Sequence, residues 1–298
     1  MTNSITKLCA WSLSFLVLCS IPAYANSAIA PASISTPQQQ KLDPQTLLKQ
    51  FAKKNVIYLG ETHDSADDHQ AQFAIIKALH RQNPKIAIAM EMFQRPFQEV
   101  VDRYLAGKIS EAQLRAQSEY DKRWGFDWEF YAPILRFAKN HRIPIIALNT
   151  PSEITRKVAR QGLASLTDDD RRFIPPVSEI RTEPGRYRDR MRQIYDDMHQ
   201  GKGRSAGFES FFLAQVLWDE TMADGVSQFL KANLNRQIIV LAGQGHLLYG
   251  DGIPSRVARR VPQVRQSIVL LNPPEELRTQ SNPPIADYFW TSSVKDGN

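Results

Sequence analysis

Apolar residues gather along the chain in short, nearly unbroken runs. Longer stretches separate them, in which apolar and polar positions recur at helical spacing. Five runs have strand length: 56–59, 86–90, 144–148, 238–242 and 267–271. Runs without polar interruption suit strands buried on both faces. Their alternation with helices predicts an α/β fold, a mainly parallel central sheet with helices on both faces. Between the third and fourth runs lie roughly 90 residues of helical pattern with no convincing strand. Segment 152–205 there carries Arg156, Arg160, Arg171, Arg172, Arg181, Arg186, Arg188, Arg190 and Arg192, and reads as a helical insertion or cap. Residues 92–140 supply a second helical excursion.

Two runs end alike. Val56-Ile57-Tyr58-Leu59 runs into Gly60, with His63 three residues on; Ile238 to Leu241 leads to Gly243, with His246 at the same offset. Ligands of an open parallel sheet collect beyond the carboxyl ends of its strands. Glycine there allows a sharp turn and close backbone approach. The two imidazoles are therefore expected to converge above the sheet if their strands are neighbours. Other strand ends add polar groups: Glu61 inside the first motif, Glu91 after the second run and Asn149 after the third. In FFLAQVLWDETMADGV, Gln215, Asp219 and Met222 share one side of a helix, and the two polar members interrupt its apolar stripe. Glu61, His63, Glu91 and His246, with Asn149, Gln215 and Asp219, form a candidate shared catalytic site. Each alone also fits a loop or helix-edge polar group bonded to backbone or solvent. His69, in the helix that Ser65 caps, fits a core histidine as well as a ligand.

Composition changes this picture mainly at the N-terminus. The chain has 298 residues, 42% hydrophobic and 23% charged, ordinary for a globular protein. Residues 1–25 differ: Lys7, an apolar stretch from Leu8 to Ile21, then Pro22 and Ala23-Tyr24-Ala25. This pattern predicts a secretory signal peptide cut after Ala25, and export to the periplasm or another envelope compartment. Residues 26–44, rich in Ser, Pro, Ala and Gln, are expected to be a flexible linker, and 45–298 a single α/β domain. Both cysteines, Cys9 and Cys19, fall in the leader. A cleaved chain therefore has no disulfide, thiolate nucleophile or cysteine-bound metal. The net charge of +6, less Lys7, leaves +5. That suits an anionic ligand or peripheral association with an acidic membrane surface. No DNA- or RNA-binding signature is present, so nucleic acid is not expected as a partner.

Taken together, GETH at 60–63, the ME-F segment at 90–93, ALN at 147–149, QVLWDETMA at 215–223 and GQGHLLYGDGIPSR at 243–256 resemble the ChaN-like haem-binding family of the Tiki/TraB/erythromycin-esterase superfamily. The resemblance spans most of residues 50–260. It implies an α/β core with a helical cap and an exported protein of haem or iron uptake. It further implies haem held at a homodimer interface by a tyrosine. Many members are lipoproteins; Leu18 before Cys19 departs from that pattern, and lipidation is not expected here.

Without cysteine, the axial choices for haem are His, Tyr or Met, and a tyrosinate suits ferric iron. Candidates are Tyr187 and Tyr195 in the arginine-rich cap and Tyr249 after His246. Tyr195 lies between Met191 and Met198, with His199 one turn on. Arg188 and Arg192 are candidates to pair with the propionates. The rival reading is a hydrolase. In it His63, His246, Glu61 and Glu91 hold a divalent metal that activates water, or His63 serves as a general base. Neither a serine nucleophile elbow nor an H-E-x-x-H helix is expected.

Overall fold

A computed structural model describes residues 32–182, 185–199, 205–278 and 282–292. The segment read as a signal peptide lies outside the described residues. The chain enters through β1 (Ala32–Ser35), β2 (Lys41–Leu42) and α1 (Pro44–Phe51), then β3 (Val56–Glu61), α2 (Ala66–Gln82) and β4 (Ile86–Gln94). A helical excursion follows: α3 (Gln98–Leu105), α4 (Glu111–Gln117), α5 (Tyr120–Arg123) and α6 (Trp128–His141). After β5 (Ile145–Asn149) come α7 (Ser152–Gln161), α8 (Asp168–Arg171), α9 (Arg186–Met198) and the long α10 (Ser205–Ala232). The chain then runs through β6 (Gln237–Gly243), α11 (Ile253–Arg260), β7 (Gln266–Leu271) and β8 (Tyr288–Ser292).

The strands form one sheet in the order β2-β1-β8-β7-β3-β6-β4-β5. β8 through β5 pair in parallel, while β1 pairs antiparallel with both β8 and β2. The parallel, doubly covered sheet expected from the apolar runs is what forms. Alternate side chains of each central strand serve opposite cores, as a pleated strand requires. Ile57, Leu59, Ile88, Met90 and Leu241 join a core with residues of α1, α2, α3, α4 and α6. Val56, Tyr58, Ala89, Val240 and Ala242 join one with residues of α10 and α11. A third cluster joins α7, α9 and the first half of α10, so the arginine-rich insertion is a helical cap with its own apolar interior. Among the described residues no helix is long and apolar enough to cross a membrane.

The linker reading of 26–44 needs correction where that segment is described. Ile34 pairs with Trp290 of β8 and is buried, while Ser33 is exposed. Serine on the outward positions of a short strand between β2 and β8 leaves a composition that mimics a linker. The single inward isoleucine carries the strand signal.

Candidate functional site

β3, β6 and β4 are neighbours, and their register sets the site. Glu61 pairs with Gly243 across β3 and β6. The backbone N–H of Gly243 donates to Glu91 Oε2 at 2.8 Å. Three strand ends thus meet at one glycine. A Cβ on Gly243 would stand 2.8 Å from His63 Cε1 and 2.9 Å from Nε2, so only glycine lets that imidazole lie against the end of β6. The loop after β3 is held by buried groups of α2, whose N-terminus is capped by Ser65. Asp68 accepts from the Thr62 N–H at 2.7 Å, and His69 bonds the His63 carbonyl through Nε2 at 3.0 Å. His69 is therefore a buried brace of the loop.

His63 Nδ1 lies 2.9 Å from Glu61 Oε1. Glu61 is buried and also accepts from the Tyr131 hydroxyl at 2.6 Å and from the Gln72 amide. Trp124 and Phe126 pack against the His63 ring, with centroids 4.7 and 4.9 Å away. The side chain keeps 29% of its surface exposed. Burial works against charge on His63, but the Glu61 hydrogen bond and the Glu91 and Glu61 charges outweigh it, and its pKa is raised.

His246 is held from both sides. Nδ1 is 2.6 Å from Asp219 Oδ1, on α10, and Nε2 is 3.4 Å from Glu91 Oε1. Burial opposes the imidazolium, yet the Glu91 and Asp219 carboxylates raise its pKa to about 10. The partnership also shows on Glu91. Burial alone would raise the pKa of this buried carboxyl, but chiefly His246, then His63 and the Gly243 N–H, bring it below its ordinary value. The other Asp219 oxygen accepts from the Tyr187 hydroxyl at 2.6 Å and lies 3.7 Å from Arg256 Nη1.

The structure therefore brings Glu61, His63, Glu91, His246 and Asp219 into one polar cluster above the sheet. Asn149 stands apart on the edge strand β5, its Oδ1 buried without a hydrogen-bond partner. Gln215 is half-buried one turn before Asp219 and has no part in the cluster's hydrogen bonds. The metal expectation for His63, His246, Glu61 and Glu91 is not met. Among the described residues no group of three or more His, Cys, Asp or Glu is set to hold an ion. The reason is chemical: Glu61 is spent on His63, Tyr131 and Gln72. His246 offers N–H to two carboxylates rather than a lone pair to a metal. Sequence reading missed Tyr131, Gln72, Arg256 and Tyr187 as supports of this cluster. Tyr131 and Gln72 lie on other helices and no motif spacing ties them to Glu61. Arg256 was readable, as the end of the GIPSR segment that follows His246. The letters Gly203-Arg204-Ser205-Ala206-Gly207 do spell G-x-S-x-G, a match that the expectation of no nucleophile elbow overlooked. Ser205 opens α10, and the described element before it is the helix α9, so among the described residues no strand leads into this serine.

The haem candidates sit in the cap. Tyr195 is buried in its apolar cluster, its ring 4.1 Å from His199 and 5.5 Å from Phe211. His199 is exposed and donates from Nδ1 to the Tyr195 carbonyl at 2.8 Å; Met198 beside it is 67% exposed. Arg192 lies 3.6 Å over the Phe208 ring with no carboxylate partner among the described residues. Arg188 pairs with Glu209 and spans the Phe208 and Phe212 rings. Tyr249 is half-buried beneath Arg190, 3.6 Å from its ring centre. Tyr187 is committed to Asp219, and burial together with that carboxylate holds its phenol well above the ordinary tyrosine pKa.

Residues 47–257 match the family described as haem-binding uptake, Tiki superfamily, ChaN. The fold is similar to that of ChaN from Campylobacter jejuni, a structure describing cofacial haem binding. The TM-score is 0.68 at 18% identity, over 87% of this chain and 96% of that one. It is also similar to an erythromycin esterase variant in its open conformation, with a TM-score of 0.50 at 13% identity, over 89% and 98% of the two chains. The chloroplast protein RETICULATA-RELATED 5 of Arabidopsis thaliana is 24% identical over 90% of this chain, which spans only 38% of that protein's length.

Proposed function

Because the chain belongs to the haem-binding uptake family ChaN of the Tiki superfamily, we propose that it binds haem on its helical cap as an exported, dimeric protein of haem or iron acquisition. The observation that carries this reading is the seam between α9 and α10. Exposed Met198, half-buried Phe211 and the Arg188 and Arg192 cations lie along it, over the buried rings of Tyr195 and Phe208. A porphyrin needs such an apolar face with cations at its rim for the propionates. Ferric iron, when bound, offers a Lewis-acid centre that favours a hard phenolate ligand. Of the three tyrosines, Tyr187 would have to abandon Asp219, and Tyr249 sits under a guanidinium. We take Tyr195 as the ligand, with His199 beside its ring; its phenol is buried between α9 and α10, and haem reaches it as that seam opens. The exposed α9–α10 face is the surface offered to the second copy. Export rests on the N-terminal leader pattern and on the family.

Titrating hemin into the purified protein is expected to give a saturable Soret shift, with the charge-transfer absorption of a phenolate-ligated ferric haem. Tyr195→Phe is expected to abolish that absorption, while Tyr187→Phe and Tyr249→Phe keep it. An unaltered spectrum in Tyr195→Phe removes the assignment; no saturable shift in the parent protein removes the haem reading.

A second reading attaches to the strand-end cluster and stands on one feature, the His63–Glu61 dyad. Glu61 fixes Nδ1, and Nε2, beside Gly243 on a ring that keeps 29% of its surface exposed, is the nitrogen left to act as a general base. A metal-independent esterase activity would follow. The expected result is turnover of p-nitrophenyl acetate that persists in EDTA and falls by about 10²-fold or more in His63→Ala. Equal rates in the two proteins would dismiss the dyad as a base.

A further inference from the structure

The cap and α11 border a second feature, which shares Arg188 with the haem reading and lies outside the dyad. A cavity of about 400 Å³ is lined by Arg181, Arg186, Arg188, Arg256 and Arg259, with Tyr187, Phe212 and Ser255 between them and Asp251 as its one carboxylate. Asp251 is already shared by Arg186 and by Arg190, at 2.7 and 2.6 Å. Glu220, behind the wall, is shared by Arg259 and Arg260 at 2.7 and 2.8 Å. Arg188 pairs with Glu209, and five arginines line the cavity against the one carboxylate of Asp251. Two further observations point the same way. Arg256 is only 5% exposed; its Nη1 donates to the Asp251 and Gly252 carbonyls, and its Nε faces Glu220 at 3.4 Å without a hydrogen bond, so a buried guanidinium is fixed in the cavity wall. α9, a thirteen-residue helix, begins at the cavity with Gly185, which supplies no side-chain cap, and the first-turn N–H groups of such a helix end suit an anion.

We propose that this cavity is an oxyanion site, taking the phosphate or carboxylate group of a ligand between Arg186, Arg188 and the buried Arg256. The guanidinium forks suit two-point contact with such a group, and the Tyr187 and Phe212 rings suit an apolar portion attached to it. Tyr187 forms one wall and donates its hydroxyl to Asp219, which holds His246. Occupancy is therefore felt at the strand-end cluster through two hydrogen bonds.

The probe is inorganic phosphate, followed by calorimetry and ³¹P line broadening at constant ionic strength, with chloride as the reference anion. Saturable binding is expected, weakened by about tenfold or more when both Arg186→Gln and Arg188→Gln are introduced, since each removes a charge-assisted donor. Arg172→Gln, on an exposed arginine paired with Asp169, is expected to leave it unchanged. Two arms distinguish the source of the oxyanion. If haem propionates fill the cavity, phosphate competes with hemin but not with hemin dimethyl ester. If a separate ligand does, hemin-saturated protein binds phosphate as before. Either supports the site. Absence of saturable phosphate binding in the parent protein, or equal affinity in the double variant, overturns it whatever hemin does.

Discussion

Replacing His246 with alanine is expected to destabilise the protein by about 3–5 kcal/mol at neutral pH, the range for removing one partner of a buried ion pair. The size follows from what remains. Glu91 and Asp219 are 5% and 0% exposed, and both would lose the cation that makes their ionised forms tolerable. The same pairing sets an alkaline limit. The folded pKa of His246, about 10, lies above the unfolded histidine value of about 6.5. A raised pKa stabilises fully below the unfolded value and loses that contribution as pH rises toward the folded one. The His246 contribution is thus complete below about pH 6.5, declines through the window to about pH 10, and is gone above it. His63 shifts in the same direction. The lowered pKa of Glu91 is the same interaction seen from its partner, and it acts on the acid side. Urea unfolding of the parent protein and His246→Ala at pH 6.5, 8 and 10 measures the gap between them. It should narrow steadily with pH. A gap constant across that range would mean that His246 is neutral in the folded protein.

Much of this architecture was legible in the chain itself, for an identifiable reason. A doubly covered parallel strand must be apolar along its length, so the five central strands announced themselves. The glycine and histidine that end two of them announced where the chain leaves the sheet. That Asp219 breaks the stripe of α10 was equally readable, because a buried carboxylate needs a partner. Strand order was not readable. Nothing in the runs at 56–59 and 238–242 says that they are neighbours; that depends on crossovers whose helices choose a side of the sheet by packing. The short strand β1 was hidden because one isoleucine among serines carries too little pattern. The metal reading failed because donor type was visible while donor commitment was not. Tyr131 arrives from the distant α6 and Gln72 from α2, and no motif ties either to Glu61. Tyr187 was one of three candidate haem tyrosines, and its hydrogen bond to Asp219 was not readable, because the packing of α9 on α10 sets it.

A methyl group on Gly252 is expected to do nearly as much damage as losing the imidazole, through backbone alone. Gly252 closes the loop that begins at His246 and caps α11. A Cβ there would collide with the His246 carbonyl oxygen, stand 2.7 Å from its carbonyl carbon and 3.0 Å from Asp219 Oδ2. A flexible side chain can swing away from such an intruder. A peptide carbonyl cannot, because moving it rotates the residue that carries the imidazole. Gly252→Ala must therefore either strain the loop or pull His246 off Asp219, and either costs about 1–3 kcal/mol or more by the usual scale for overpacking. The loop supplies its own control. A methyl group on Gly245, one residue before His246, would meet nothing within 4 Å, and Gly245→Ala is expected to unfold at the same urea concentration as the parent protein. The two variants differ in where the methyl points, so a composition effect on the unfolded chain cancels between them. If Gly252→Ala unfolds with Gly245→Ala and keeps the alkaline decline of the parent, the His246 carbonyl is not the fixed wall on which the cluster is built.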